Sequence, residues 1–308
     1  MTSKETSISQ TSQRLSTLTA WAFMTPALIL FSFFILWPMG NLVYLSFTSG
    51  SFTREGVRWI GLQNYIRLIH DGDFGQVVSN TIYFTIATVI PSVILPLGLA
   101  ILLNQNLVLQ KLKLQGLFRT VFFIPSITSL VATGLGFRWL FQTNGPVNTF
   151  IENIGVAAVP WLSSTVWAMP ILILFSIWKQ LGFNLVVFLA GLQIIPATLY
   201  EAAEIDGANG WDQFWCITLP SLRPTVIFAI ITTSIFTLRS FEQVYVITGG
   251  GPLNSTNLLV YYIYNQAFGQ FDFGYAAAAA TSLLLVAFAL VYCQLRFGNL
   301  AEQPDERV

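Results

Sequence analysis

Charged residues are scarce in this sequence. Of its 308 residues only 9% are Asp, Glu, Lys or Arg, whereas 54% are hydrophobic. A typical soluble domain carries about 25% charged residues, so this chain has too few to cover a water-exposed surface. The fourteen basic and fourteen acidic residues cancel, which leaves no net positive field for nucleic acid binding. The composition is that of an integral membrane protein.

Histidine and cysteine are nearly absent as well. The single histidine, His70, excludes a multi-histidine zinc site and a bis-histidine haem. The two cysteines, Cys216 and Cys293, are too few for a disulfide framework and lack metal-ligand spacing. The sequence also has no G-x-x-x-x-G-K-[ST] segment that would cradle nucleotide phosphates. We therefore predict no metal site, no catalytic residue and no cofactor in this chain.

Long stretches without Asp, Glu, Lys or Arg predict the membrane spans. A bilayer core of about 30 Å needs about 20 apolar residues per helix. The N-terminal apolar stretch is too long for a signal peptide and lacks an A-x-A cleavage site, so we expect a retained first helix. We predict an all-α protein with tails at 1–19 and 297–308 and a six-span domain at 20–296. The six spans are 20–43, 80–103, 119–141, 165–191, 224–247 and 274–296.

The distribution of Lys and Arg predicts the orientation of the spans. Six spans place both termini on the same side of the membrane, and the loops on that side carry most of the basic residues. By the positive-inside rule that side is the cytoplasm, so we predict a multi-pass protein with both termini cytoplasmic. The inside residues are Lys4, Arg14, Lys111, Lys113, Arg119, Arg223, Arg296 and Arg307, and the outside residues are Arg54, Arg58 and Arg67.

One inside loop, residues 196–224, is long and patterned: PATLYEAAEIDGANGWDQFWCITLPSLRP. Thr198 and Glu201 have the spacing of a capping box, which predicts the start of a short helix. That helix can run to Asp206 and end at Gly207, because a glycine at this position tolerates the left-handed conformation. The loop is therefore predicted to begin with a short cytoplasmic helix.

A second short helix is predicted after the turn at Asn209-Gly210. It places Trp211, Phe214 and Trp215 on one apolar stripe. The first helix has a small-residue face at Ala202-Ala203, which another protein could approach closely. From the residues alone, a solvated helical hairpin that rests on the membrane through its tryptophans is an equal alternative.

The same loop resembles the EAA motif of the permease subunits of ABC importers, whose pattern is E-A-A, three residues, G, nine residues, I-x-L-P. The extended form of this motif, typical of carbohydrate importers, also matches. Weaker matches flank the loop over most of the chain, so that the sequence is similar to the family of the larger maltose permease subunit, without its extra N-terminal helices and large external domain. The matching residues are Glu201-Ala202-Ala203, Asp206-Gly207-Ala208, Phe214, Ile217, Leu219-Pro220 and Pro224.

The resemblance implies a type I ABC importer fold in a bacterial inner membrane, with a six-helix permease core and a cytoplasmic helical coupling loop. It implies a permease that takes an oligosaccharide, glycoside, polyol or glycerol-phosphate type of solute from a solute-binding protein and moves it by alternating access. The implied partners are a second homologous permease, two ATPase subunits that use ATP and Mg, the solute-binding protein and membrane lipid, but no nucleic acid. The implied ATPase-coupling residues are Glu201, Ala202, Ala203, Asp206 and Gly207.

Three charged residues, Lys179, Arg239 and Glu242, lie inside the predicted fourth and fifth spans. A charge at mid-depth costs at least about 2.5–3.5 kcal/mol, and a continuous helix would place Arg239 and Glu242 on one face. A structural ion pair of Glu242 with Lys179 or Arg239 would explain them. The resemblance implies instead a solute site on these two helices, and both interpretations stay open here. The candidate substrate pathway comprises Ser176, Lys179, Gln180, Thr233, Thr237, Arg239, Ser240 and Glu242.

An ion-coupled secondary transporter with Glu242 as its proton site is the alternative function. It accounts for a carboxylate inside a span but leaves the pattern of residues 196–224 unexplained. A membrane enzyme or redox subunit would need more chemistry than one histidine and no clustered carboxylates supply.

Overall fold

The computed structural model describes residues 19, 21–50, 57–105 and 114–300. The predicted tails, 1–19 and 297–308, fall outside these residues apart from Thr19 and the end of the last helix. Within the described ranges the chain consists of helices and turns, with one isolated antiparallel bridge between Thr48 and Trp59. Among the described residues, four helices are long and apolar enough to cross a membrane, and the number of spans rises to as many as six if each of two bent helix pairs is one span.

Predicted spans one, two, four and six each correspond to one of these four helices. In chain order the helices are α1 (Trp21–Ser46), α2 (Gln63–His70), α3 (Gly72–Gln105), α4 (Leu114–Ile127), α5 (Leu130–Phe141), α6 (Pro146–Asn153), α7 (Ala168–Ile194), α8 (Ala197–Ile205), α9 (Gly210–Ser221), α10 (Arg223–Leu238), α11 (Leu259–Tyr264) and α12 (Phe273–Leu300).

The third span is bent at Thr128 and Ser129, a junction that we call the elbow. The segments Gly116–Ile127 and Leu130–Asn153 on its two sides make an angle of 95°, so the span predicted over 119–141 is not one continuous helix. Pro125 lacks an N–H and its ring opposes the carbonyl one turn earlier, which favours the end of α4 soon after it.

The fifth span is interrupted at residues 239–241, which we call the helix break. α10 ends at Leu238, with Arg239 as its C-cap, and a π-helical turn follows at Val244–Thr248. The single helix predicted over 224–247 is therefore interrupted at 239–241 before it resumes at Glu242, and Arg239 and Glu242 do not share a helix face. Hydroxyl groups along α10 bond to carbonyls three or four residues earlier, and such bonds compete with the helical ladder and bend it.

The backbone forms two compact units. Among the described residues, one unit lies within Met1–Leu68 and Gln266–Thr281, and the other lies within Ile69–Asn265 and Ser282–Val308. In the first unit, the Asn64 amide donates to the carbonyl oxygens of Ser46 at 2.9 Å and Thr48 at 2.8 Å. In the same unit Arg67 pairs with Asp272 at 2.6 Å. These contacts tie the end of α1 to α2 and α2 to the segment before α12.

The second unit is built around α3 and α7. Near the start of both helices, Phe84 belongs to one buried cluster with Leu172 and Phe175. Near their ends, Leu103 belongs to another buried cluster with Leu192. Residues in the first halves of α3 and α7 thus share one cluster, and residues near the ends of both helices share the other. The two helices therefore run parallel.

Gly182 marks a close approach of α4 and α7. A Cβ atom added to this glycine would lie 2.6 Å from the Phe123 Cα and would also overlap the Phe122 carbonyl oxygen. Both neighbouring atoms belong to the backbone and cannot turn aside as a flexible side chain would.

We expect Gly182→Ala to destabilise the protein, because overpacking of a tight contact costs about 1–3 kcal/mol. The measurement is the thermal unfolding midpoint of the purified chain. Gly136→Ala on α5 is the matched control, since nothing lies within 4 Å of its added Cβ and alanine favours a helix by about 1 kcal/mol. Equal midpoints for the two variants would show that the contact is not tight.

Candidate functional site

Two cavities lie beside the helix break and the elbow. They share Leu130, Thr232 and Phe236, so they adjoin, and each has a volume typical of a small-molecule site. The break cavity, about 480 Å³, is lined by Leu130, Thr232, Ile235, Phe236, Arg239, Ser240, Phe241, Glu242 and Gln243. The elbow cavity, about 460 Å³, is lined by Phe123, Ser126, Ile127, Thr128, Leu130, Lys179, Gln180, Phe183, Thr232 and Phe236.

Arg239 and Glu242 line the break cavity with exposed side chains. Among the described residues, neither lies within 4.0 Å of an opposite charge, so the ion pair considered from the sequence is not formed there. A charged side chain at the depth of a span avoids lipid and faces either water or protein. The break cavity therefore presents a cationic donor and an anionic acceptor to whatever occupies it.

Lys179 has a different environment. Its side chain is 6% exposed, and its ammonium group donates to the carbonyl oxygens of Pro125 and Thr128 and to the Thr128 hydroxyl at 3.2 Å. The last carbonyls of a helix have no partner within it, and a positive charge is favoured beside them. Lys179 thus caps the end of α4 and holds the elbow.

Ser126 fastens the same junction from the opposite helix. Its hydroxyl donates to the Lys179 carbonyl oxygen at 2.9 Å and accepts from the Phe183 N–H at 3.2 Å. These two backbone groups are four residues apart on α7, so Ser126 of α4 enters the hydrogen-bond ladder of α7. With Lys179, it connects the two helices in both directions.

The remaining predicted pathway residues are divided between the cavities and the helix interfaces. Gln180 lines the elbow cavity and Ser240 lines the break cavity. Ser176, Thr233 and Thr237 line neither of the two, and all three are buried. The structure therefore brings five of the eight predicted residues to the cavities: Lys179, Gln180, Arg239, Ser240 and Glu242.

Sequence reasoning missed several lining residues, notably Thr232, Phe236, Phe241 and Gln243. Thr232 adjoins the predicted Thr233, but consecutive helical residues point about 100° apart, and the sequence does not fix which of them faces the cavity. The Gln243 amide donates to the Ser240 hydroxyl at 2.7 Å, and this bond stabilises the helix break. The run of hydroxyl residues at 232–240 was the available signal for Thr232.

The inside loop forms the two predicted helices, α8 and α9, with different caps. α8 begins at Ala197, after Pro196 and without a side-chain cap, so the capping box predicted at Thr198 and Glu201 is wrong. Thr198 falls inside the first turn because the helix begins before it. A capping box occurs instead at the start of α9, where Asn209 and Asp212 bond to each other's backbone N–H groups.

The end of α8 at Gly207 is confirmed. Gly207 has φ +82°, its N–H donates to the Glu204 carbonyl at 3.1 Å, and the Ala208 N–H donates to the Ala203 carbonyl at 2.8 Å. This is a Schellman motif, which requires a left-handed residue at that position. Of the five predicted coupling residues, Ala203 is half-buried, and the exposed ones are Glu201, Ala202, Asp206 and Gly207.

The aromatic stripe predicted on α9 is also confirmed. The rings of Trp211, Phe214 and Trp215 lie 5.2 to 5.9 Å apart, centre to centre. Both tryptophan side chains are exposed. The loop therefore carries two accessible features, the small-residue helix α8 and an aromatic cluster.

Comparison with known proteins identifies the family. Residues 81–296 match the family described as "Binding-protein-dependent transport system inner membrane component". This stretch includes both cavities and the whole inside loop. The chain belongs to this family.

The permease is similar over nearly its whole length to named relatives. A lactose transport system permease protein of Rhizobium radiobacter is 37% identical over 287 residues, covering 92% of this chain and 94% of the relative. A sulfoquinovosyl glycerol transport system permease protein of Agrobacterium fabrum is 38% identical over 278 residues, covering 90% and 87%. A crystal structure of a bacterial ABC transporter that imports the acidic polysaccharide alginate superimposes with a TM-score of 0.82 at 24% identity, covering 95% and 99%.

These findings confirm the predicted all-α membrane permease with the ABC importer fold. They also confirm the resemblance to carbohydrate importers, since the relatives are named for sugar and glycoside transport. The permease is an inner-membrane component with several candidate membrane helices, and is therefore a multi-pass protein.

We expect Lys179→Met to destabilise the permease, because the Thr128 carbonyl loses its donor and an unsatisfied group costs about 1–3 kcal/mol, while the Pro125 carbonyl keeps only the Thr128 hydroxyl as its donor. Arg239→Gln, which alters an exposed charge, should leave stability nearly unchanged. The thermal unfolding midpoint of each purified variant measures this difference. A Lys179→Met midpoint equal to that of Arg239→Gln would mean that Lys179 does not hold the elbow.

Proposed function

We propose that this permease takes a sugar-like solute from an extracytoplasmic solute-binding protein and moves it into the cytoplasm through the break and elbow cavities. The observation that carries the proposal is a cavity with a few charged and hydroxyl side chains at an interrupted span of a chain in this family. The solute class is supported by the relatives' names, which specify lactose and sulfoquinovosyl glycerol transport. It comprises oligosaccharides, glycosides, polyols and glycerol-phosphate-like solutes.

The chemistry of the break cavity suits a polyhydroxylated molecule. Arg239 supplies donors, Glu242 supplies acceptors, and the Thr232 hydroxyl can do both. Phe236 and Phe241 provide apolar walls, so a few polar groups converge within an otherwise apolar pocket. Lys179 is engaged by backbone carbonyls and acts in the proposal as a structural cation that shapes the elbow cavity.

Transport requires other subunits in this proposal. A second homologous permease completes the pathway, and two cytoplasmic ATPase subunits bind ATP and Mg and perform the hydrolysis. The permease itself is non-catalytic and holds no cofactor. Its termini and inside loop face the cytoplasm, its outer helix surfaces contact lipid, and nucleic acid is not a partner.

Helix α8 is the proposed ATPase contact, through Glu201, Ala202, Ala203, Asp206 and Gly207. A motion of α8 can pass to α9 through the Tyr200 and Thr218 hydroxyls, which lie 2.9 Å apart. The motion can pass on to α7 because the fully buried Leu222, which follows α9, packs tightly against Gly191 of α7. A Cβ atom added to Gly191 would lie only 2.8 Å from the Leu222 side chain. Tight packing of this kind transmits displacement instead of absorbing it.

We expect Gly207→Asp to abolish transport while the chain still inserts in the membrane. Nothing lies within 4 Å of a Cβ at Gly207, so the aspartate fits in the isolated chain, and Asp tolerates the left-handed conformation better than most residues. The added side chain would separate α8 from the ATPase. Solute uptake and the amount of membrane-inserted permease are measured together.

Gly155→Asp is the matched control for this variant. Gly155 has φ +85° and also has nothing within 4 Å of an added Cβ, but it lies in the loop after α6, on the opposite side in the predicted orientation. We expect it to retain both uptake and insertion. Wild-type uptake by Gly207→Asp would contradict the coupling assignment.

Uptake of labelled solutes by cells with and without this chain tests the function as a whole. The panel contains disaccharides, glucosyl-polyols, sn-glycerol 3-phosphate and amino acids, with ATP depletion and a protonophore as separate arms. We expect one saccharide-like solute to need both the chain and ATP. Uptake that survives ATP depletion and collapses with the protonophore would instead establish an ion-coupled transporter with Glu242 as its proton site.

A further inference from the structure

Buried hydroxyl and amide side chains follow one face of each of three packed helices. On α3 the positions are spaced by one turn, at Thr85, Thr88 and Ser92, and α7 carries Gln180 and Asn184 with the same spacing. All five are at most 8% exposed. α10 contributes the buried residues Thr233 and Thr237, spaced by one turn, and the buried Ser240 follows in the helix break.

Two hydrogen bonds fix the register of these faces. The Asn184 amide donates to the Ser92 carbonyl oxygen at 2.6 Å and to the Thr233 hydroxyl at 3.1 Å, which places one residue of each helix in a common layer. Because α3 and α7 run parallel, Thr88 lies at the level of Gln180, one turn before that layer. We call the faces of α3 and α7 that meet here the polar seam, comprising Thr85, Thr88, Ser92, Gln180 and Asn184.

Five buried polar atoms in the polar seam have no hydrogen-bond partner among the described residues. They are the Thr85, Thr88 and Ser92 hydroxyls, the Gln180 Nε2 and the Asn184 Oδ1. Threonine and serine in a helix commonly bond to their own backbone one turn earlier, as Thr81 and Ser176 do on the same helices. The polar seam hydroxyls do not make that bond.

Exchange of the amide atoms of Gln180 would not remove the problem, because the oxygen would then be the unpartnered atom. Asn184 cannot be exchanged, since its nitrogen makes two good bonds. A buried polar group without a partner costs about 1–3 kcal/mol by mutational measures. Five such atoms in one seam would together cost as much as the whole free energy of unfolding of a typical protein.

We propose that the polar seam is a binding site for ordered water molecules between α3 and α7. Water both donates and accepts, so it can satisfy the hydroxyls, the Gln180 nitrogen and the Asn184 oxygen together, which a cation cannot do. Buried waters typically make about three hydrogen bonds to otherwise unsatisfied groups. Water-mediated pairs can exchange partners at low cost, so α7 can shift against α3 during transport without leaving buried groups unpaired.

Removal of one hydroxyl tests the site. Thr88→Val keeps the shape of the side chain, and if water is bound there, it should lower the thermal unfolding midpoint by about 2–4 °C, the shift for one lost hydrogen bond in a chain of this size. Ser92→Ala should have a similar effect, and the double variant should lose less than the sum because both hydroxyls hold the same water. A midpoint for Thr88→Val equal to or above wild type would overturn the proposal, because loss of an unsatisfied hydroxyl is favourable.

Thr281→Val is the matched control, since the buried Thr281 hydroxyl already donates to the Ala277 carbonyl at 2.8 Å and it lies outside the polar seam. We expect a smaller loss there than at Thr88. Should Thr88→Val fail to fold, X-ray hydroxyl-radical footprinting of the full wild-type chain decides, because radiolysis of bound water oxidises side chains beside it. Phe84 and Phe188, fully buried beside the polar seam, should be oxidised several-fold faster than the equally buried Tyr275, and equal rates would overturn the proposal.

Discussion

A membrane interior supplies no hydrogen bonds, and this requirement governs the form of the permease. Backbone groups inside a bilayer must find partners within the protein, yet two of its spans are not continuous helices. At the elbow, the Lys179 ammonium group donates to the carbonyls of Pro125 and Thr128, while Ser126 enters the ladder of α7. At the helix break, Gln243 and Ser240 are bonded to each other. Irregular backbone at this depth is tolerated where it is buried in protein or lines a cavity, and here it does both.

The same two irregularities account for the cavities. A straight third span and a straight fifth span would pack along their lengths, whereas the bend at Thr128 and the interruption at Arg239 open space between them. The inside loop joins this region directly, because α9 continues into α10 with a bend of 64° and Leu222 at the junction is fully buried. In the proposed function, a push on α8 from an ATPase therefore reaches the helix whose outer end forms the break cavity.

Sequence reasoning succeeded where one residue type has one structural use. Charge-free runs gave the spans, and Gly207 gave the end of α8, because few other residues adopt its conformation. It failed where the outcome depends on tertiary partners. Pro125 can kink a span or be accommodated in it, as Pro91 and Pro96 are inside α3, and the bonds of Lys179 to α4 become visible only in three dimensions. Ser176, Thr233 and Thr237 were recognised as polar at depth, but hydropathy does not say whether such residues face a cavity or another helix.

The most direct measurement is the reactivity of a cysteine at Phe241 in the assembled transporter, in a background with Cys216→Ser and Cys293→Ser. Phe241 lines the break cavity, so a hydrophilic thiol reagent should modify Phe241→Cys, and the transported solute should slow the reaction. Ile90→Cys is the control, because Ile90 is exposed on the spanning helix α3 and lines neither of these cavities, and it should remain unmodified. A Phe241→Cys that is inert, or that reacts at the same rate with and without solute, would contradict a solute pathway through the helix break.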